Sequence, residues 1–271
     1  MKGRTRAAGG GAAKAKSQRG AASAVSKKAL AADAKTRGKK AAASAADAAS
    51  TAEVERAEAI AAALAELYPE AECALAYGGD AWRLLVMGRL SAQCTDARVN
   101  RVAPTLFAAY PTPEAMAEAV PEELERIIRP CGLFRTKARD LIAASRLLVL
   151  RFGGVLPESR EALLTLPGVG RKIANLLLGD IYGHSLVVAD THCIRLAARF
   201  GFTPEGTRDA LLTERRLTPL LQSVNASDFC HRLVLFGREV CTARAPQCHA
   251  CLLRERGLCR HGDTPPSVAD A

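Results

Sequence analysis

From residue 53 onward, apolar side chains recur at the spacing of helix faces, and turn-forming residues interrupt them at short intervals. In 53–68 the apolar positions Val54, Ile60, Leu64 and Leu67 fall on one side of a helix, and Pro69 ends the run. Gly78-Gly79-Asp80 predicts a turn, with Asp80 as the N-cap of a helix reaching Leu90. Further helices are predicted near 96–109, 113–119, 121–128, 135–151, 160–165, 171–182, 191–200, 206–221 and 226–238. The breakers between them include Pro111, Pro121, Pro130, Gly153-Gly154, Pro157, Gly168 and Gly183. Pro104 lies inside one of these segments and predicts a kink or a later start. Leu186-Val187-Val188 is the one short β-like stretch, and it reads as a buried linker because no strand ladder accompanies it. The chain is predicted to be all-α, a compact helical domain plus a smaller one closed by cysteines.

Composition agrees with helices: 49% of the 271 residues are hydrophobic and 4% aromatic, so the core must be mainly Leu, Ala, Val and Ile. No run approaches the roughly eighteen uncharged apolar residues of a membrane helix, so no membrane partner is expected. The net charge of +10 sits in residues 1–52, which hold twelve Lys/Arg against Asp33 and Asp47. The remainder balances 26 basic against 26 acidic residues, so isoelectric point alone is no argument that the folded part binds nucleic acid. Residues 1–52 lack the large apolar groups needed to bury themselves and read as a disordered basic tail, and residues 263–271 read as a second disordered tail. Such a tail suits either salt-sensitive attraction to phosphates or a solubilising spacer. Its composition also resembles an organellar transit peptide, and Lys39-Lys40 a nuclear signal, but it has no apolar run of the secretory kind.

Four of the nine cysteines fall within nineteen residues, as Cys241-x6-Cys248-x2-Cys251-x7-Cys259. With no export signal, this points to a metal or cluster site in a reducing compartment. Four thiolates suit tetrahedral zinc or a [4Fe–4S] cluster, and the spacing alone does not separate the two. Cys73, Cys94, Cys131, Cys193 and Cys230 lie in apolar helical contexts and read as ordinary buried thiols.

The most specific chemistry lies in Leu166-Pro167-Gly168-Val169-Gly170-Arg171-Lys172, followed by Ala189-Asp190-Thr191-His192. Pro167 fixes φ before a turn, and Gly168 and Gly170 permit the conformations that let a backbone approach a phosphate. The next helix carries Ile173, Leu176, Leu177 and Ile181 on a core-facing side, which puts Arg171 and Lys172 in its first turn. Unpaired N–H groups there can hold a phosphate. A cation there opposes the helix dipole, an odd place for a structural lysine and a good one for a nucleophile. On the pattern alone, a hairpin that only grips DNA is an equally good reading, and Asp190 could serve simply as an N-cap.

These two segments resemble the helix-hairpin-helix glycosylases, specifically the endonuclease III family. Ser91-Ala92-Gln93-Cys94-Thr95-Asp96 with Val99-Asn100 is similar to that family's segment near the extruded base. Cys131-Gly132-Leu133-Phe134 with Lys137-Ala138 resembles its wedge loop, and the four C-terminal cysteines its iron–sulfur loop. The similarity runs from about Glu53 to Arg260 in one order and excludes the tail. It implies two helical domains, residues 74–184 with the hairpin, and residues 53–73 with 185–262 around a [4Fe–4S] cluster held by Cys241, Cys248, Cys251 and Cys259. Zinc is the alternative occupant. It implies excision of damaged bases, oxidised pyrimidines above all, with Lys172 as nucleophile and Asp190 as catalytic carboxylate. Gln93 and Leu133 would fill the space of the extruded nucleotide, and Gly168, Gly170, Arg171 and His192 would contact DNA. Arg135, Lys137 and Arg139 are further candidates for phosphates, and Arg244, Arg254 and Arg256 for the cluster loop. The expected partner is duplex DNA bearing damaged bases or abasic sites, met by a monomer in a bacterial cytoplasm at the nucleoid. A non-catalytic DNA-binding module, or a relative acting on mismatched or alkylated bases, is the alternative.

The chain departs from the family pattern at three places. Gly88-Arg89 interrupts an apolar helix face, and Arg89 is expected to pair with a carboxylate or point toward DNA. Ile173 stands where threonine is usual. The interval before Cys259 is seven residues where five are usual.

Overall fold

The structure, a computed structural model, describes residues 49–261. The predicted tail over 1–52 falls, up to residue 48, outside the described residues, as does that over 263–271. Helix α1 (Thr51–Leu67) starts two residues before the apolar periodicity does. The reason is a reciprocal cap: Glu53 N donates to Ser50 Oγ and Ser50 N donates to Glu53 Oε2, each at 3.2 Å. Asp80 caps α2 (Ala81–Leu90) as predicted, accepting from Arg83 N at 3.1 Å. α3 (Asp96–Ala109) begins at the predicted residue and carries Pro104 inside it, so the later start does not occur.

α4 (Pro113–Ala117) and α5 (Pro121–Ile128) pack on the long α6 (Phe134–Phe152). α7 (Arg160–Leu163) leads through the hairpin into α8 (Arg171–Tyr182), and α9 (Thr191–Arg199) follows. The predicted 206–221 helix is shorter, α10 (Ala210–Leu217): Asp209 caps it by accepting from Leu211 N and Leu212 N, and a 3-10 turn containing Pro219 ends it. α11 (Ala226–Glu239) and α12 (Leu252–Glu255) complete the chain. No residue among those described is in a strand, and no helix among them is long and apolar enough to cross a membrane.

The buried side chains join into one continuous apolar cluster from Ala57 to Leu253. Burying a Leu or Phe there stabilises by roughly 1.5–3 kcal/mol each. α1 lies against α11 and α12, so the first described helix meets the last two, and α2 packs on α8. Residues 186–189 run through this interior without regular structure, the buried linker that the sequence predicts. Side chains supply its hydrogen bonds, as buried backbone requires. Asn175 Nδ2 donates to Val187 O at 2.8 Å, Val188 N donates to Cys230 Sγ at 3.3 Å, and Ser227 Oγ donates to Leu186 O at 3.1 Å. A Cβ at Gly179 would lie 2.3 Å from Ser227 Oγ, so glycine is what admits that serine.

Two charged residues are built into the same frame. Arg89 pairs with a carboxylate, as expected of it: Nη2 and Nε reach Asp140 Oδ2 at 2.6 and 3.1 Å. Lys137 overturns its expectation. It is 0% exposed, and its Nζ donates to Leu90 O at 2.7 Å and to Cys131 O at 2.9 Å. It therefore holds no phosphate; it ties α6 to the end of α2 and to the turn before Leu133. The charged face around it had suggested a solvated lysine, but its position on α6 points inward. Lys137→Met keeps the aliphatic stem and strips both carbonyls of their donor. We expect a loss of about 2–4 kcal/mol in urea unfolding with an unchanged m-value.

Candidate functional site

α8 begins with no side-chain cap, since its N-cap is Gly170, and its first N–H groups are left open to an anion. The preceding turn closes through Val169 N donating to Leu166 O at 3.1 Å, with Gly168 at φ +78. A side chain at 168 would be strained, and its Cβ would lie 2.6 Å from Arg89 Nε and 3.0 Å from Asp140 Cβ. The Arg89–Asp140 pair is thus packed directly against the hairpin, which accounts for an arginine in the buried second half of the helix. Gly170 differs from the expectation. Its backbone is extended, at φ −99 and ψ 179, and a Cβ there would meet nothing within 4 Å. No conformational need for glycine exists at 170; its effect is a bare surface beside the helix N-terminus.

Lys172 stands exposed in the first turn of α8. Asp190 is the N-cap of α9, with Oδ1 accepting from Cys193 N at 2.7 Å. Its other oxygen makes no hydrogen bond among the described residues. Lys172 and Asp190 line one cavity of about 70 Å³, together with Ser91 and Asp96 from the segment singled out in the sequence. Asp96 is held there by Arg238 of α11. A larger groove of about 790 Å³ lies against Arg195, Arg199, Arg208 and Arg260, but it contains neither Lys172 nor Asp190.

The cavity is also lined by Cys73 and Cys230, which the sequence presents only as ordinary thiols, and by His231, which it does not single out. Cys230 is a buried thiol as read, 3% exposed, yet it also accepts from the linker. Cys73 is not in a helix: α1 has ended at Leu67, Pro69 follows, and the chain at 73 is loop. It is half-buried, and burial followed by the nearby Asp180 carboxylate pushes its thiol up to about 12. His231 Nε2 lies 2.8 Å from Asp180 Oδ1.

None of the expected DNA contacts lines this cavity. Arg171 is engaged by Glu214 through two hydrogen bonds, Nε to Oε2 at 3.0 Å and Nη2 to Oε1 at 2.7 Å. His192 is half-buried; its Nδ1 lies 3.3 Å from Arg195 Nη2, and it sits so closely over Gly237 that a Cβ there would come within 2.6 Å. Burial lowers its pKa, against the pull of Asp190. Gln93 and Leu133 are the two non-glycine residues with positive φ among those described, at +53 and +48. Both are exposed, Leu133 to 56%. Each such conformation costs of order 1–3 kcal/mol and persists because its surroundings impose it.

The four C-terminal cysteines converge. Burial raises the Cys259 thiol, and the charges of Cys241, Cys251 and Cys248 add to that effect. The seven-residue interval is taken up by α12 and a turn in which Leu258 N and Cys259 N both donate to Leu253 O. Arg199 holds the first of the four cysteines, donating to Cys241 Sγ at 3.0 Å and to Thr242 O at 2.8 Å. Among the described residues no three of these sulfurs lie within 4.8 Å of one another. One tetrahedral zinc, with bonds of about 2.3 Å, would hold them about 3.8 Å apart. Four cysteines brought to one end of the fold are a donor set that an iron–sulfur cluster takes, and the Arg199 guanidinium on the Cys241 sulfur suits a thiolate there.

Residues 86–222 match the HhH-GPD superfamily of base excision DNA repair proteins, the class that hairpin and helices define. Endonuclease III of Synechocystis sp. is 42% identical over 200 residues, covering 73% of this chain and 90% of that protein. Endonuclease III of Bacillus subtilis is 38% identical over 202 residues, covering 73% and 89%. A solved endonuclease III–DNA covalent intermediate superposes with a TM-score of 0.72 at 37% identity, covering 78% of this chain and 97% of that one. The chain belongs to the endonuclease III family.

Two expectations follow. Gly168→Ala, strained and colliding with Arg89, should cost at least about 2 kcal/mol of stability, whereas Gly170→Ala should change stability by less than about 0.5 kcal/mol. If a DNA backbone approaches 170, Gly170→Ala weakens DNA binding alone, which a paired melting and gel-shift experiment reads. Protein purified without oxygen should carry about four irons per chain, lost in Cys259→Ser; colourless protein holding zinc would overturn the cluster assignment.

Proposed function

We propose that the cavity shared by Lys172 and Asp190 is the active site of a bifunctional DNA glycosylase and abasic-site lyase acting on duplex DNA. The observation that carries this reading is that an amine and a carboxylate, each at the start of a different helix, line one small cavity beside an uncapped helix N-terminus. The anion-holding turn at Gly168–Gly170 would fix a backbone phosphate. Gln93 and Leu133 would occupy the space left by a nucleotide drawn out of the stack, at a cost of a few kcal/mol in unstacking.

The Lys172 amine attacks the sugar C1′, and the glycosidic bond breaks with its electron pair leaving on the base. Asp190 offsets the positive charge that develops on the sugar and takes the amine proton. Ring opening gives a Schiff base between Lys172 and C1′. Removal of a C2′ proton then expels the 3′ phosphate by β-elimination, and water releases the lysine. Cys241, Cys248, Cys251 and Cys259 would hold the [4Fe–4S] cluster, which when bound anchors the C-terminal loop and supplies no acid, base or nucleophile. Oxidised pyrimidines are the proposed substrates, by family membership, in a monomer at the bacterial nucleoid. The covalent intermediate trapped in the related structure supports a nucleophilic route.

Borohydride added during reaction with abasic-site DNA should yield a stable protein–DNA adduct from the wild type and none from Lys172→Ala. No adduct from the wild type would leave only a DNA-binding module. Asp190→Asn retains the cap, since Asn caps as well as Asp. Its melting temperature should therefore hold while the single-turnover rate falls roughly 10²–10⁴-fold.

A further inference from the structure

Cys73, Asp180 and His231 come from three separated elements: the loop after α1, the last turn of α8 and the second turn of α11. One donor atom from each lies within 4.8 Å of the other two. His231 Nε2 and Asp180 Oδ1 are 2.8 Å apart. Around a tetrahedral zinc, with bonds of about 2.0 Å to N and O and 2.3 Å to S, donors stand about 3.3–3.6 Å apart. Small side-chain adjustments would bring this triad to that separation.

A second observation points to a cation. The Asp180 side chain is 5% exposed, and its Oδ2 is buried with no hydrogen-bond partner of normal length. A buried carboxylate oxygen without a well-formed hydrogen bond is costly; His231 satisfies the other oxygen, and the further group turned to this carboxylate is the thiol of Cys73, itself a metal donor. The approach is suited to a cation as well. A cavity of about 570 Å³ opens on the triad, with Glu72 and Asp228 in its wall and neither lysine nor arginine.

We propose that Cys73, Asp180 and His231 bind one divalent transition-metal ion, zinc by its donor preferences, in the wall between this outer cavity and the one lined by Lys172. One sulfur, one imidazole nitrogen and one carboxylate oxygen form a zinc donor set with a fourth position open to water. Cys73 would bind as the thiolate, its proton released to solvent, and His231 through Nε2 in the Nδ1–H tautomer. Cys73 and His231 line both cavities, so the ion would border the pocket that receives the extruded nucleotide. The site stands whether or not Lys172 acts as a nucleophile.

The test uses the iron-loaded protein, dialysed against micromolar zinc, with zinc and iron counted by plasma mass spectrometry. One zinc per chain beyond the iron is expected, with X-ray absorption at the zinc edge giving a single sulfur ligand. Cys73→Ser and Asp180→Asn should each weaken binding roughly tenfold or more, with iron content and helical circular dichroism as checks on folding. If either variant misfolds, the other and the sulfur count still decide. Zinc held by four sulfurs, equal zinc in wild type and well-folded variants, or no bound zinc would each overturn the proposal.

Discussion

The site depends on how a stretch of irregular backbone is kept in the interior. Lys172 opens α8 and Asp190 opens α9, and only the link between these helices sets one against the other. Its amides and carbonyls are out of water, so each must find a partner or lose about 1–3 kcal/mol. Asn175, Ser227 and Cys230 provide those partners, two of them from α11. The register of Lys172 and Asp190 is therefore a property of three helices together. It comes from side-chain groups with no chemistry of their own.

Charge is used with similar economy. The folded part is balanced in formal charge, and many of its arginines are committed to protein groups. Arg89 lies under the hairpin on Asp140, Arg171 grips Glu214, and Arg199 braces the loop of Cys241. The formal excess of +10 lies in residues 1–52, so the arrangement of the folded part rests on fixed helix termini and paired charges, not on a net positive field.

Much of this was legible in the chain because it is local. Helix limits followed caps and breakers, and α8 begins and ends where Gly170 and Gly183 place it. The hairpin, Asp190 and the four clustered cysteines are short-range patterns, and the Arg89 anomaly announced a partner without naming Asp140. What was missed depends on long-range packing. Lys137 resembles any lysine on a charged helix until α2 and α6 meet, and nothing in the separation of Cys73, Asp180 and His231 signals their convergence. Gly170 misled for another reason: glycine is chosen as often for lack of bulk as for backbone freedom.

The two left-handed residues carry a last implication. Gln93 and Leu133 are held in an unfavourable backbone state by the free protein, at the ends of turns anchored by Ser91, Lys137 and the start of α6. The distortion is thus met during folding; on the proposed function it need not be created at each encounter with a duplex, and relaxing either turn would trade that readiness for thermal resilience.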